Sequence, residues 1–377
     1  MAFFKRFTLG LALVLAFAFC GPVFAAETIK LGVAGAHSGN LAGYGMGTLN
    51  ATKIVAEKVN AAGGIAGGKM IEVVAQDEQC KPELATNVAS KLIADDVRMI
   101  VGHICTGATT AALPLYNEAK VISVSPSATA PEITASGKNP YFFRTIASDD
   151  DQARIGVYAL ENVIKAKKVA ILHDKGDYGR GYADFVRQFL AINNKVEVVL
   201  FEGITSGASD FSPIIQKVRS SGAEALVFGG YDPDAAKIVS QMQRRKVNIP
   251  MVAPDGIRVE SFLRLAGKAA EGTFASGTRD LSDSPMYIEA TEAHQKMFGT
   301  PPPAQFYMQG YAAALAAVNA IDKAGSDRDV NKMLEVLRTD YVDTPLGKIR
   351  FDQKGDAEGV GFALFKVVNG KFVEVTE

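Results

Sequence analysis

Nowhere in this chain are the 40 Lys and Arg residues gathered into a block. They do not interleave with aromatics in a stripe either. With a formal net charge of −1, nothing favours nucleic acid as a partner. Charged residues make up only 21% against 48% apolar, which excludes a disordered chain. The four histidines, His37, His103, His173 and His294, have no metal-ligand spacing. Neither His–Glu–x–x–His nor Gly–x–Ser–x–Gly occurs, and no nucleophile–base pair stands out, which counts against an enzyme. Gly63–Lys69 reads GGIAGGK, but Met70 stands where a P-loop needs Ser or Thr. That run also follows a helix and precedes a strand, the reverse of the required context. Gly43, Gly45 and Gly47 are two apart, unlike a dinucleotide fingerprint. Asp352, Lys354 and Asp356 fail as a calcium loop, because a lysine occupies an oxygen-ligand position. After residue 26 no run reaches the roughly 18 apolar residues of a membrane span.

What remains is a globular chain of 377 residues, long enough for two domains. Residues 1–26 are set apart from its fold. Lys5 and Arg6 precede an apolar run from Leu9 to Phe19, and Val23–Ala26 offers small residues for cleavage after Ala25 or Ala26. This is the pattern of a secretory signal peptide. Bulky Phe19 before Cys20 argues against lipid attachment there. Removing the signal leaves Cys80 and Cys105, and an even pair in an exported chain reads as a disulfide, the other possibility being two buried thiols. Closing that loop would stabilise the fold by about 3 kcal/mol and hold Thr106 in place.

The mature chain alternates short apolar runs with amphipathic segments. Strands are expected at Ile29–Ala34, Ile71–Ala75, Met99–Val101 and Val121–Val124, with helices at Gly45–Asn60, Pro82–Ala94 and Ala108–Glu118 between them. After Tyr141–Arg144 the pattern restarts. Helices at Gln152–Ile164, Gly181–Ala191, Phe211–Arg219 and Asp234–Arg244 alternate with strands at Val169–His173, Val196–Phe201, Ala225–Phe228 and Met251–Ala253. Repeated βαβ units predict two α/β domains of parallel sheet with helices on both faces, and a cleft between them. The last third is expected to be helical at Met286–Phe298, Ala304–Ala324 and Val330–Arg338. It then forms short strands at Lys348–Phe351, Gly361–Val367 and Lys371–Val375.

One stretch concentrates the chemistry. Met99–Val101 and Val121–Val124 each stop at small hydroxyl residues, Cys105-Thr106-Gly107 in the first case and Ser125-Pro126-Ser127-Ala128-Thr129 in the second. Thr106 opens an amphipathic segment, so its backbone N–H groups suit a carboxylate or phosphate. The bland alternative is a pair of ordinary caps and turns. Further strand-end loops at Ser38–Gly45, Gly229–Asp232 and Ala253–Gly256 add a tyrosine and a carboxylate. A zwitterion needs both kinds of group: donors for its anion and acceptors for its ammonium.

Taken in order, Gly102–Cys105, Ser125–Glu132, His173-Asp174-Lys175, Gly229-Gly230-Tyr231 and Ala253-Pro254-Asp255-Gly256 resemble the periplasmic leucine/isoleucine/valine-binding proteins of branched-chain amino acid ABC transporters. The resemblance covers essentially the whole mature chain. It implies two Rossmann-like lobes joined by a three-segment hinge that closes on its ligand, with residues 27–147 and 279–355 in lobe 1 and residues 148–278 and 356–377 in lobe 2. It supports the Cys80–Cys105 bridge. It implies a carboxylate site at Thr106 with backbone from Cys105 and Thr129, and an ammonium site at the Ser127 carbonyl, the Thr129 hydroxyl and Asp255. Tyr231 would close over the ligand, and Tyr44 and Phe306 would line the pocket for an aliphatic tail. It implies no cofactor, a periplasmic monomer, and membrane permease subunits as partners. The family's best-known members carry Glu where this chain has Asp255, which bears on ligand identity more than on ligand class. The alternatives are the same fold taking another small carboxylate, such as an aromatic acid or amide, and an enzyme on a double Rossmann-like scaffold.

Overall fold

The structure is a computed structural model and describes residues 27–303 and 305–376. The signal-peptide expectation for residues 1–26 lies outside the described residues. The chain begins with β1 (Thr28–Gly35), α1 (Ala42–Ala61), β2 (Met70–Asp77), α2 (Pro82–Ala94), β3 (Met99–Val101), α3 (Thr106–Ala119), β4 (Ile122–Ser125), α4 (Pro131–Ala135) and β5 (Phe142–Arg144). Next come α5 (Asp149–Tyr158, continued by a π turn to Ile164), β6 (Lys168–His173), α6 (Asp177–Asn193), β7 (Glu197–Gly203), α7 (Ser212–Ser220) and β8 (Ala225–Gly229). Then follow α8 (Asp232–Arg244), β9 (Met251–Ala253), α9 (Glu260–Ala266) and β10 (Phe274–Thr278). The last third holds α10 (Pro285–Phe298), α11 (Tyr307–Ala324), α12 (Val330–Thr339), the hairpin β11 (Val342–Thr344) and β12 (Gly347–Ile349), then β13 (Phe362–Val368) and β14 (Lys371–Glu374).

The first sheet is parallel throughout, in the order β2-β1-β3-β4-β5. The second repeats that order as β7-β6-β8-β9-β10 and adds β13 and β14 beyond β10. β13 runs antiparallel to β10, and β14 antiparallel to β13. The expected parallel α/β sheets are present, and the short strands expected near the end of the chain add an antiparallel edge to the second. Asn369-Gly370 turns β13 straight into β14, and a connection that short permits only antiparallel neighbours. β10 escaped the sequence reading because FASGT carries three small residues instead of a branched apolar run. Its neighbours β9 and β13 make it a strand.

Both faces of each sheet are covered, as the near-continuous apolar strands require. Leu31 and Val33 of β1 meet Ile54 and Val55 of α1 and the alanines of α11. Ala34 meets Leu92 of α2 and Tyr116 of α3. In the second sheet Leu172 and Phe228 pack on Ile238 of α8, while Ile171 and Val227 pack on Val186 and Leu190 of α6. Each buried Leu, Ile, Val or Phe among these contributes about 1.5–3 kcal/mol by burial, and each alanine less. The Ala-rich α11 is thus a core helix, and among the described residues no helix is long and apolar enough to cross a membrane. Strand order reverses between β1 and β3 and again between β6 and β8, which opens a crevice at the carboxyl ends of each set.

Candidate functional site

The loops at those carboxyl ends meet between the two sheets. On the first side, alternate hydroxyls along β4 and the loop after it tie down the loop after β3. Ser123 donates to the Gly102 carbonyl, Ser125 to that of His103 at 2.6 Å, and Ser127 to that of Ile104 at 2.7 Å. The Cys80–Cys105 disulfide secures the same loop to the end of β2, as expected. Thr106 is the first residue of α3, and its hydroxyl is buried with no hydrogen-bond partner within the protein. The Thr129 hydroxyl is in the same condition. Arg144, only 1% exposed, holds the 128–130 backbone by donating to the carbonyls of Ala128 and Ala130 while its Nε pairs with Asp356 at 2.5 Å.

On the second side, Asp255 opens a 3₁₀ turn directly after β9 and is 1% exposed. Its Oδ1 accepts from the Tyr178 hydroxyl at 2.6 Å and from the Gln152 amide at 3.1 Å, while its own N–H donates to Gln152 Oε1 at 2.8 Å. Its Oδ2 is buried without a partner. The Gln152 amide also donates to Asp149 Oδ1 at 3.0 Å, and Asp149 Oδ2 is likewise buried without a partner. Burial pushes Asp255 up to about 6, with Tyr178 and Gln152 pulling it back. Burial, then the facing Asp255, push Asp149 up to about 8.

Aromatic rings close the space from both sides. Tyr44 packs edge-on against Tyr231 at 5.9 Å and beside Phe306 at 5.7 Å, and Tyr178 lies 5.1 Å from Tyr231. The Tyr44 hydroxyl is 2.6 Å from both Asp232 Oδ1 and the Gly256 carbonyl, across the crevice. A glycine is required at position 45 for this approach, since a Cβ there would lie 2.0 Å from the Ala36 carbonyl oxygen.

Of the eight residues singled out from the sequence, Tyr44, Cys105, Phe306 and Tyr231 share one apolar cluster, Asp255 joins it through Tyr178, which it bonds and which stacks on Tyr231, and Thr106, Ser127 and Thr129 are buried in the loops of the first side. Tyr44 is more than the apolar wall expected of it, because its hydroxyl bridges the two sides. Sequence reasoning missed Arg144, Asp149, Gln152 and Tyr178, and put Asp232 in a candidate loop without giving it a role of its own. A tyrosine soon after the end of β6 was a usable signal for Tyr178. Asp149 heads a run of three aspartates at a helix start, a pattern that reads equally well as dipole compensation.

Two doubly wound lobes closing on an interior set of unpaired oxygens define a two-lobed ligand-binding protein. The chain belongs to the periplasmic binding protein family, which it matches over residues 28–371. It is 33% identical over 348 residues to the leucine-, isoleucine-, valine-, threonine- and alanine-binding protein of Pseudomonas aeruginosa, covering 92% of each chain. It is similar to the branched-chain amino acid transporter substrate-binding protein LivJ of Streptococcus pneumoniae in complex with isoleucine, with a TM-score of 0.81, 27% identity, and coverage of 93% of this chain and 100% of that one. It is similar also to a solute-binding protein of an ABC transporter from Rhodopseudomonas palustris in complex with 3,4-dihydroxybenzoic acid, with a TM-score of 0.78, 26% identity, and coverage of 93% and 96%.

Proposed function

We propose that this protein is a periplasmic substrate-binding protein that captures an aliphatic α-amino acid by lobe closure and delivers it to the permease of an ABC transporter. The observation that carries the reading is the set of buried, unpartnered oxygens on both sides of one crevice: Thr106 and Thr129 hydroxyls opposite the Asp255 carboxylate. The Thr106 hydroxyl, with backbone N–H groups of Cys105 and Thr129, would bind the ligand carboxylate. The Ser127 carbonyl, the Thr129 hydroxyl and Asp255 would take the ammonium. Tyr44 and Phe306 would enclose the aliphatic tail, and Tyr231 would cover it from the other lobe. The lobes comprise residues 27–147 with 279–355, and 148–278 with 356–377. Export uses residues 1–26, the protein acts as a monomer, and it catalyses no reaction.

A benzoate-class ligand is the second reading, favoured by the Rhodopseudomonas neighbour with its dihydroxybenzoate. Asp255 opposes it, since an uncharged ring placed there would leave a buried carboxylate uncompensated. A thermal-shift screen of the twenty amino acids beside benzoate and its hydroxylated forms tests the choice. Stabilisation by leucine, isoleucine, valine, alanine or threonine is expected. Stabilisation by the benzoates alone would overturn it.

A further inference from the structure

Asp255 is not the only carboxylate at the site. Asp149, fully buried at the start of α5, donates its backbone N–H to the Thr129 carbonyl at 2.9 Å. The amide of Gln152 stands between the two acids and gives one hydrogen to Asp149 and the other to Asp255. Gln152 cannot turn to serve either acid twice, because its Oε1 is held by the Asp255 N–H and the Ser276 hydroxyl. Each carboxylate thus keeps one buried oxygen unpartnered, and on the Asp149 side the Thr129 hydroxyl faces the acid and pulls it down against the effect of burial. Two carboxylates sharing one neutral bridge out of water do not both ionise readily.

The surrounding groups supply little compensation. Arg144 from β5 is committed to Asp356 and to loop carbonyls. Arg258 bears on Asp255 from beyond the turn, and its guanidinium is stacked on Phe365. Glu132 adds negative charge, and Tyr178, Tyr182 and Tyr231 face the pair as neutral phenols.

We propose that Asp149 is a second carboxylate of the ligand site, and that the Asp149–Asp255 pair holds one proton which it releases to solvent when a ligand ammonium enters. The proton leaves as a hydronium ion or to buffer, and the ammonium supplies the positive charge that replaces it. This rests on the amino-acid reading above. Burial, which raises both acids, and the Asp255 charge, which raises Asp149 further, place the exchange between about pH 6 and about pH 8. Below that range the pair is protonated and receives the ammonium poorly. Affinity therefore rises with pH through it, by up to about tenfold per unit.

The test is titration calorimetry in phosphate and in Tris, whose ionisation enthalpies differ, using the best bound of leucine, isoleucine, valine, alanine and threonine. Wild type should release a proton fraction approaching one near neutrality. Asp149→Asn should release almost none and show a flatter pH profile. Glu78→Gln, which removes another buried carboxyl raised by burial, should leave the release unchanged. Binding by wild type without proton release overturns this inference alone, and needs no variant to fold. Full release by Asp149→Asn overturns it too. Failure of every amino acid to bind wild type overturns the functional reading together with it.

Discussion

The hydroxyl of Tyr44 lies 2.6 Å from the carboxylate of Asp232, a residue 188 positions further along the chain and on the opposite side of the crevice. The same oxygen is 2.6 Å from the Gly256 carbonyl, so one tyrosine joins α1 to the loops after β8 and β9. Asp232 is itself held by the Ser261 hydroxyl at 2.6 Å. The contact bridges the two sides of the crevice, so parting them is expected to break it, and it should then bias a two-state hinge toward closure.

Tyr44→Phe keeps the ring packing against Phe306 and Tyr231 and deletes the contact. A hydrogen bond to a charged group contributes about 1.5–3 kcal/mol. Affinity should fall about tenfold to a hundredfold, through faster dissociation with little change in association. Stopped-flow kinetics measures both rates. An unchanged dissociation rate would show that closure does not depend on this contact.

Thr106→Ala removes a buried hydroxyl that has no partner within the protein. The melting temperature of the ligand-free protein should hardly move, since no internal bond is lost. Affinity should drop about tenfold to a hundredfold through loss of a charge-assisted bond. Equal affinity in calorimetry would reduce Thr106 to the opening residue of α3 and nothing more.

Asp255→Asn keeps the shape of the side chain and removes its charge. Leaving one half of a buried ion pair costs about 3–5 kcal/mol, so amino-acid binding should weaken at least about a hundredfold. Asp255→Glu keeps the charge and sets it one methylene further out, so binding should persist with altered preference among aliphatic side chains. If Asp255→Asn binds its best ligand as tightly as wild type, that ligand carries no ammonium here.

Mature protein isolated without reductant should show no free thiol in an Ellman titration, given the Cys80–Cys105 bond. Replacing both cysteines with serine should lower unfolding stability by about 3 kcal/mol in urea titration. Two reactive thiols in untreated protein would contradict the bridge.

The alternation of strands and helices was legible because its signal is local. Apolar runs of three to eight residues, amphipathic segments and small residues at strand ends are each contained in a short window. The mixed edge of the second sheet was partly legible too, in the Asn369-Gly370 turn, but the partner of β13 was not. β10 has no strand signal of its own and is a strand only because β9 and β13 flank it.

The chain by itself therefore determined two α/β lobes, the strand-end loops that face each other, the cysteine pair, and through family resemblance eight positions around the crevice. Tertiary structure alone decided which acids besides Asp255 matter. Asp149, Asp150 and Asp151 are indistinguishable as letters, yet the first is buried, the second half-buried and the third exposed. Gln152 reaches Asp255 across 103 positions, and Arg144 reaches Asp356 across 212. Charge state and partner choice depend on what lies within a few ångströms after folding, and residues that far apart in sequence leave no local pattern that could reveal it.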